Sequence, residues 1–241
     1  MLVWAGCIKP LIQSLLGGKL SAIAQEHCAT VLSGLAPIGE NANSIKEHKG
    51  IDPLVTLLST GNVDAKAHAA ATLAQLALRA EAALDIAKAG AVSAFVQWLV
   101  NPTLGPPEVA ARALSEIALD NTDTQSQIAE EGAISPLVAM VGTPVVIPEG
   151  NNSIAAANKA AAAALKVSNV ASGALATLAK DNIINQLMIT EDGGIPPLVE
   201  LLKAKTSVHK SDSYKYPTKA LWHLAANEDN QSAIAKAGGI V

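Results

Sequence analysis

Length, composition and charge exclude several classes of protein. The chain has 241 residues, of which 50% are apolar and only 2% aromatic, and its formal net charge is −4. A core with so few aromatic side chains must be built from Ala, Leu, Ile and Val, a composition that favours closely packed helices. The negative charge argues against a general nucleic-acid binder, which needs a clustered basic face. Two cysteines, Cys7 and Cys28, are too few for a disulfide framework.

The sequence also argues against membrane insertion and secretion. No apolar run reaches about 18 residues, so we expect no transmembrane segment. The N-terminus lacks the basic region of a signal peptide. We therefore expect a cytoplasmic protein, with a nuclear location or a peripheral membrane association as the alternatives.

A short pattern recurs along the chain and defines its organisation. In each copy a short helix pattern ends near a glycine, and an aliphatic residue then opens a second apolar helix. These aliphatic residues are spaced by 41 to 45 residues, except for one step of 61. They are Ile8, Ile51, Val92, Ile134, Ile195 and Ile240. A fixed period near 42 residues indicates an α-solenoid, in which each repeat buries its apolar face against its neighbours.

The predicted elements follow this period in chain order, and no strand pattern of useful length interrupts them. The first unit contains helices at 9–16 and 22–35, and the second ends in a helix at 64–79. The predicted units are 2–36 (partial), 41–79, 80–119, 122–180 with an insertion at 142–158, 181–226, and 227–241 (partial). Both ends cut through a repeat, so we expect a fragment of a longer solenoid whose uncapped ends promote self-association.

Two motifs carry a resemblance to a known family. Residues 195–202 read Ile-Pro-Pro-Leu-Val-Glu-Leu-Leu, and residues 220–225 read Ala-Leu-Trp-His-Leu-Ala. Together with the glycine-terminated short helix, they resemble the armadillo repeat. Their residue pattern is similar to that of vacuolar-protein-8-like and plant armadillo proteins. The resemblance implies an all-α, right-handed superhelix of about five repeats with three helices each. It also implies that the third helices line a concave groove for extended peptides, without catalysis.

The resemblance provides a register for the groove. The predicted partner-binding residues are His27, Thr30, His68, Gln75, Arg112, Glu116, Thr177, Tyr216, Lys219, Trp222 and His223. The asparagine that clamps peptides in the family is replaced by Gly34, Gln75, Glu116, Thr177 and His223. The tryptophan row of importin-type members is also missing, which makes a nuclear-import adaptor the less favoured interpretation. Around Gly173 the small side chains predict a bare groove floor.

Two segments depart from the period. The insertion at 142–158 contains Pro144, Pro148 and Gly150, which predict an irregular loop. The segment 203–217 carries four lysines and one aspartate. It is predicted to be a solvated loop, or alternatively a docking site for an acidic partner.

No residue pattern indicates catalysis. Nucleophile-elbow, zinc-protease, dinucleotide and phosphate-loop motifs are absent from the sequence, so we predict no catalytic residue and no cofactor. His27 and His68 occupy equivalent places in adjacent repeats, but stacked helices hold them too far apart for one metal ion. No metal is predicted.

The sequence thus predicts a non-catalytic scaffold that binds another protein through an extended segment, with an acidic segment among the expected partners. The alternative is the substrate-recruiting arm of a ubiquitin ligase.

Overall fold

The computed structural model describes residues 5–78, 80–142, 154–203 and 214–239. Within these ranges the chain forms fifteen α-helices and no strand, which confirms the predicted all-α repeat fold. The helices are α1 (Ala5–Leu16), α2 (Ala22–Leu35), α3 (Gly39–Glu47), α4 (Ile51–Thr60), α5 (Val63–Ala77), α6 (Ala80–Lys88), α7 (Ala91–Val100), α8 (Pro107–Ile117), α9 (Thr122–Glu130), α10 (Ile134–Val141), α11 (Ile154–Ala179), α12 (Ile183–Glu191), α13 (Ile195–Lys203), α14 (Lys215–Leu224) and α15 (Glu228–Lys236).

The helices pack into two compact blocks. The N-terminal block is Met1–Glu131 and the C-terminal block is Gly132–Val241. In the N-terminal block the third helices α2, α5 and α8 lie side by side, with α4 against α5 and α7 against α8. In the C-terminal block α11 packs against α14, with α10 against α11 and α13 against α14. Each block therefore places its third helices in one row.

Small residues allow the third helices to approach one another closely. In α5, Ala65, Ala69 and Ala70 are fully buried together with Leu73. Two of the few aromatic residues, Phe95 and Trp98, are buried and are the largest side chains of the core. Their rings meet edge to face with centroids 5.6 Å apart.

A left-handed residue ends the first helix in five repeats. Gly90, Gly132, Gly193 and Gly238 have φ between 75° and 88°, and Lys49 takes the equivalent place with φ 61°. In three repeats the next N–H closes the helix by bonding a carbonyl five residues back, as in Gly194 N to Ile189 O at 2.8 Å. This is the geometry of a Schellman motif, and it explains why a glycine recurs at the end of this helix.

Side-chain amides connect successive repeats within a block. Gln186 donates to the carbonyl of Ala179 at 2.9 Å, and Asn230 donates to that of Leu224 at 3.1 Å. Each acceptor lies at the C-terminal end of a third helix, where carbonyl groups have no partner in the helix itself. The recurring Asn-Gln pair at the start of a repeat therefore closes the helix that precedes it.

The chain ends differ from the prediction. Helix α1 begins four residues earlier than predicted, so Pro10 lies inside it and not in its first turn. Ile8 and Ile12 are fully buried and Ile234 is 6% exposed, because α1 packs on α3 and α4, and α15 packs on α13 and α14. Uncapped ends predict exposed apolar side chains, and for these three residues that prediction is wrong. Leu11, which the same prediction includes, is half-buried. The other apolar residues predicted to be exposed at the two ends, in 2–4 and 240–241, lie outside the described residues.

Both segments that were predicted to be irregular are partly helical in the described residues. Helix α11 begins at Ile154, inside the predicted insertion 142–158, and runs for 26 residues. Helix α14 begins at Lys215, inside the predicted loop 203–217. Residues 143–153 and 204–213 lie outside the described residues.

Helix α11 also bears on the membrane prediction. Its residues Ala155–Ala179 are long and apolar enough to cross a bilayer by length and composition. The sequence gives no uninterrupted apolar run here, because Asn158, Lys159 and Lys166 lie within the helix. The helix nevertheless packs against α10, α12 and α14, as a core helix does. That the chain has no transmembrane segment stays a prediction.

Candidate functional site

The predicted groove residues of the N-terminal block lie on the adjacent helices α2, α5 and α8. His27, Thr30 and Arg112 are exposed, and His68, Gln75 and Glu116 are half-buried. Neighbouring helices are linked here, since Ser33 Oγ lies 3.0 Å from His68 Nδ1. The surface carries one strong cation, Arg112. Burial raises the pKa of the Glu116 carboxyl, and the nearby Arg112 guanidinium opposes that shift.

The predicted groove residues of the C-terminal block lie on α11 and α14. Tyr216, Lys219 and Trp222 are exposed, whereas Thr177 is buried. The floor at Gly173 is not bare, because the Tyr216 ring packs on it. A Cβ added at Gly173 would lie 3.2 Å from Cδ1 of Tyr216. The small side chain predicted to admit a peptide backbone instead makes room for this tyrosine.

Trp222 is the most prominent feature of this surface. Its side chain is 70% exposed, so it is not an inter-repeat packing residue. The indole lies against the imidazole of His223, with ring centroids 4.6 Å apart and an interplanar angle of 41°. His223 itself is only 7% exposed. Exposure of a large apolar ring surface to water is unfavourable in free energy. A partner that covers the indole would remove this cost.

A cleft of about 360 Å³ opens beside Trp222. It lies where the C-terminal ends of α11 and α14 meet the start of α12. Its walls are formed by Lys180, Asp181, Gln186, Trp222, His223, Ala225 and Ala226. The cleft thus combines an aromatic wall, an apolar rim and both signs of charge.

Two of the residues that line this cleft each have a buried polar atom that lacks a hydrogen-bond partner among the described residues. The atoms are Nε2 of His223 and Oε1 of Gln186. The amide orientation of Gln186 is set by its Nε2, which donates to Ala179, so Oε1 is left as an acceptor. A buried polar group without a partner costs about 1–3 kcal/mol, so a ligand that bonds to either atom would recover part of that free energy. Buried amide oxygens outside the residues that line the cleft, such as those of Asn169 and Asn230, also lack partners among the described residues.

Burial and the surrounding charges favour the neutral form of His223. Burial lowers the pKa of its imidazole, and the ammonium groups of Lys219 and Lys180 lower it further. The Asp181 carboxylate acts in the opposite direction. The net effect is a pKa below the ordinary value for histidine.

Sequence reasoning placed Trp222, His223 and Lys219 at this surface but missed the rest of the cleft. Gln186 belongs to the next repeat, and Lys180 and Asp181 follow the end of α11. The available signal was the Asn-Gln pair that recurs at 185–186 and 230–231. Its position at the start of a repeat would have placed Gln186 beside the end of the preceding third helix.

The described residues contain no group of three or more His, Cys, Asp or Glu side chains placed to hold a metal ion. The absence of a metal, a cofactor and a catalytic residue stays a prediction.

Comparison with known proteins identifies the fold. No protein-family model matches the chain, and no curated protein matches it in sequence. Among solved structures, a designed armadillo repeat protein superposes with a TM-score of 0.77 at 24% identity, over 96% of this chain and 88% of its own. A second designed armadillo repeat protein, in complex with the peptide (KR)4, gives 0.76 at 23% identity over 96% and 87%. A computationally designed armadillo repeat protein for modular peptide recognition gives 0.75 at 24% identity over 97% and 89%. The chain has an armadillo-like repeat fold.

Proposed function

We propose that this protein is a non-catalytic scaffold that binds an extended segment of another protein on the α11–α14 surface of its C-terminal block. The single observation that carries the proposal is the 70% exposed indole of Trp222 at the mouth of the cleft. Aromatic anchors that become desolvated dominate the energetics of interfaces. One of the similar structures is a complex with a peptide and another was designed for peptide recognition, which supports the same use of the fold here.

The charges of this surface favour an acidic segment. Lys180 and Lys219 flank the cleft, and Asp181 is the only acidic side chain among its lining residues. Complementary charge speeds the encounter with an acidic partner and disfavours a basic one. The preference is thus opposite to that expected of a surface that binds the basic peptide (KR)4.

The motif at 220–225 supports a vacuolar-protein-8-like or plant type of armadillo protein, and with it a cytoplasmic location. The recruiting arm of a ubiquitin ligase would use the same surface to hold its substrate.

Selection from a random peptide library tests the proposal. The intact chain is immobilised and panned, and the same library is panned in parallel on Trp222→Ala and on Leu78→Ala, an exposed-site control on the N-terminal block. We expect wild type and Leu78→Ala to enrich the same peptides, with aspartate or glutamate near an apolar residue. Trp222→Ala should bind those peptides at least about thirtyfold more weakly, since an aromatic anchor contributes about 2 kcal/mol or more.

The melting temperature separates binding from folding in this experiment. Because Trp222 is exposed, Trp222→Ala should melt within a few degrees of wild type. Equal enrichment on wild type and Trp222→Ala, or a selection of lysine-rich and arginine-rich peptides, would contradict the proposal.

A further inference from the structure

The cleft beside Trp222 has a chemistry that the binding proposal does not yet use. His223 is one of its lining residues, and the buried Nε2 of this imidazole has no hydrogen-bond partner among the described residues. The indole of Trp222 covers this imidazole and is itself exposed on its outer side. The imidazole thus lies between the cleft and an exposed indole, and its Nε2 is a buried donor or acceptor that a ligand in the cleft could use.

We propose that this cleft is a carboxylate subsite, in which an aspartate or glutamate side chain of the partner segment accepts hydrogen bonds from protonated His223 and from the lysines beside it. The inference rests on the proposed function and adds the ligand class and the protonation step. His223 takes one proton from solvent as the carboxylate enters, and the carboxylate stays ionised. The product is an imidazolium–carboxylate pair within the cleft.

Charge explains why the proton arrives only with the ligand. The charged groups acting on His223 are Lys219 on its own helix, and Lys180 and Asp181 after the end of α11. The two ammonium groups and burial oppose a third positive charge when the cleft is empty. A carboxylate at Nε2 reverses this balance, because an opposite charge within about 4–6 Å favours the charged form of a titrating group.

Gln186 gives the segment its orientation. Its Oε1 is an acceptor held in place by the hydrogen bond that the amide nitrogen donates to Ala179. It accepts a backbone N–H of the partner, while the apolar neighbour of the acidic residue packs on the Trp222 indole. Acidic and apolar residues side by side on an extended segment thus match the cleft better than acidic residues alone.

A matched pair of peptides tests the subsite. The glutamate probe is the fluorescein-labelled peptide EEEELLEEEE, and the glutamine probe is its uncharged counterpart QQQQLLQQQQ. Both are titrated with the intact protein by fluorescence anisotropy at pH 6, 7 and 8. We expect the glutamate probe to bind more tightly than the glutamine probe. Its affinity should increase as the pH falls, by up to about tenfold per pH unit, because binding takes up one proton.

Variants assign the proton to His223. His223→Gln should remove the pH dependence of glutamate-probe binding, whereas His48→Gln, a matched substitution in the N-terminal block, should keep it. Lys219→Gln should weaken binding at every pH, and binding should still tighten as the pH falls because His223 is retained. Circular dichroism and melting of each variant confirm that it is folded.

The outcomes separate this inference from the proposed function. If library-selected peptides lose affinity on Trp222→Ala but the glutamate and glutamine probes bind equally, the carboxylate subsite is wrong and the binding surface stands. A pH slope unchanged in His223→Gln also overturns the inference. If neither probe binds and the library yields no peptide that depends on Trp222, both proposals fail.

Discussion

His223 makes the stability of the unliganded protein depend on pH. Burial and Lys219 lower the pKa of its imidazole below the ordinary value of 6.5. Below pH 6.5 the unfolded chain binds a proton at this residue that the folded chain does not. The stability that the fold has with a neutral His223 is therefore fully present above pH 6.5. It is lost progressively as the pH falls from 6.5 toward the lowered pKa of the folded protein.

Urea denaturation between pH 8 and pH 5 measures this effect. We expect the free energy of unfolding to fall more steeply with decreasing pH for wild type than for His223→Gln. The difference should have a slope of at most about 1.4 kcal/mol per pH unit, the value for one proton. Parallel curves for the two proteins would show that His223 titrates alike in the folded and unfolded chains.

At the residue scale, the sequence identified Trp222 and His223 as candidate site residues but not the polar lining of the cleft. The repeat register placed Trp222 and His223 on a third helix at the predicted binding surface. Nothing local in the sequence indicates that Tyr216 fills the space above Gly173, because the two residues are 43 positions apart in the sequence and lie on different helices. Long-range packing of this kind is not encoded in one repeat.

At the element scale, Lys49 marks the place where one repeat departs from the rule followed by the others. It adopts φ 61° where four other repeats use glycine. A residue with a Cβ costs about 1–2 kcal/mol in the left-handed conformation, and glycine avoids this strain. Glycine also loses more conformational entropy on folding, which offsets about 0.5–1 kcal/mol of the benefit.

Lys49→Gly should therefore stabilise the protein, by about 0.5–1 kcal/mol in denaturant unfolding. The control is Lys49→Ala, which removes the long side chain but keeps the Cβ, and should bring no gain. A gain of equal size in both variants would show that the lysine side chain, and not the backbone conformation, is unfavourable here.

Helix boundaries show which local signals are reliable. The range 22–35 predicted for the second helix agrees with α2, where Ser21 caps the first turn. The start of α11 at Ile154 was missed because the prolines and glycine of 142–158 were read as breaking the whole segment. The alanine-rich sequence after Ser153 has high helix propensity, so the helix extends well before the usual start of a third helix.

At the scale of the whole molecule, the period of the sequence predicted the repeat fold but not its division into two blocks. Residues 125–141 carry one copy of the recurring pattern, and they span the boundary between Glu131 and Gly132 without a change in that pattern. Because the pattern is the same on both sides of the boundary, it carries no signal for where one block ends.

The central claim is that an extended acidic segment lies against Trp222 on the C-terminal block. Site-specific photo-crosslinking tests it most directly. Benzoylphenylalanine replaces Ala226, an exposed residue that lines the cleft beside Trp222, in one protein and the exposed Leu78 of the N-terminal block in another. Each protein is irradiated with the strongest library-selected peptide. We expect a crosslinked peptide at position 226, suppressed by excess unlabelled peptide, and none at position 78. Crosslinking at position 78 with none at position 226 would contradict the claim.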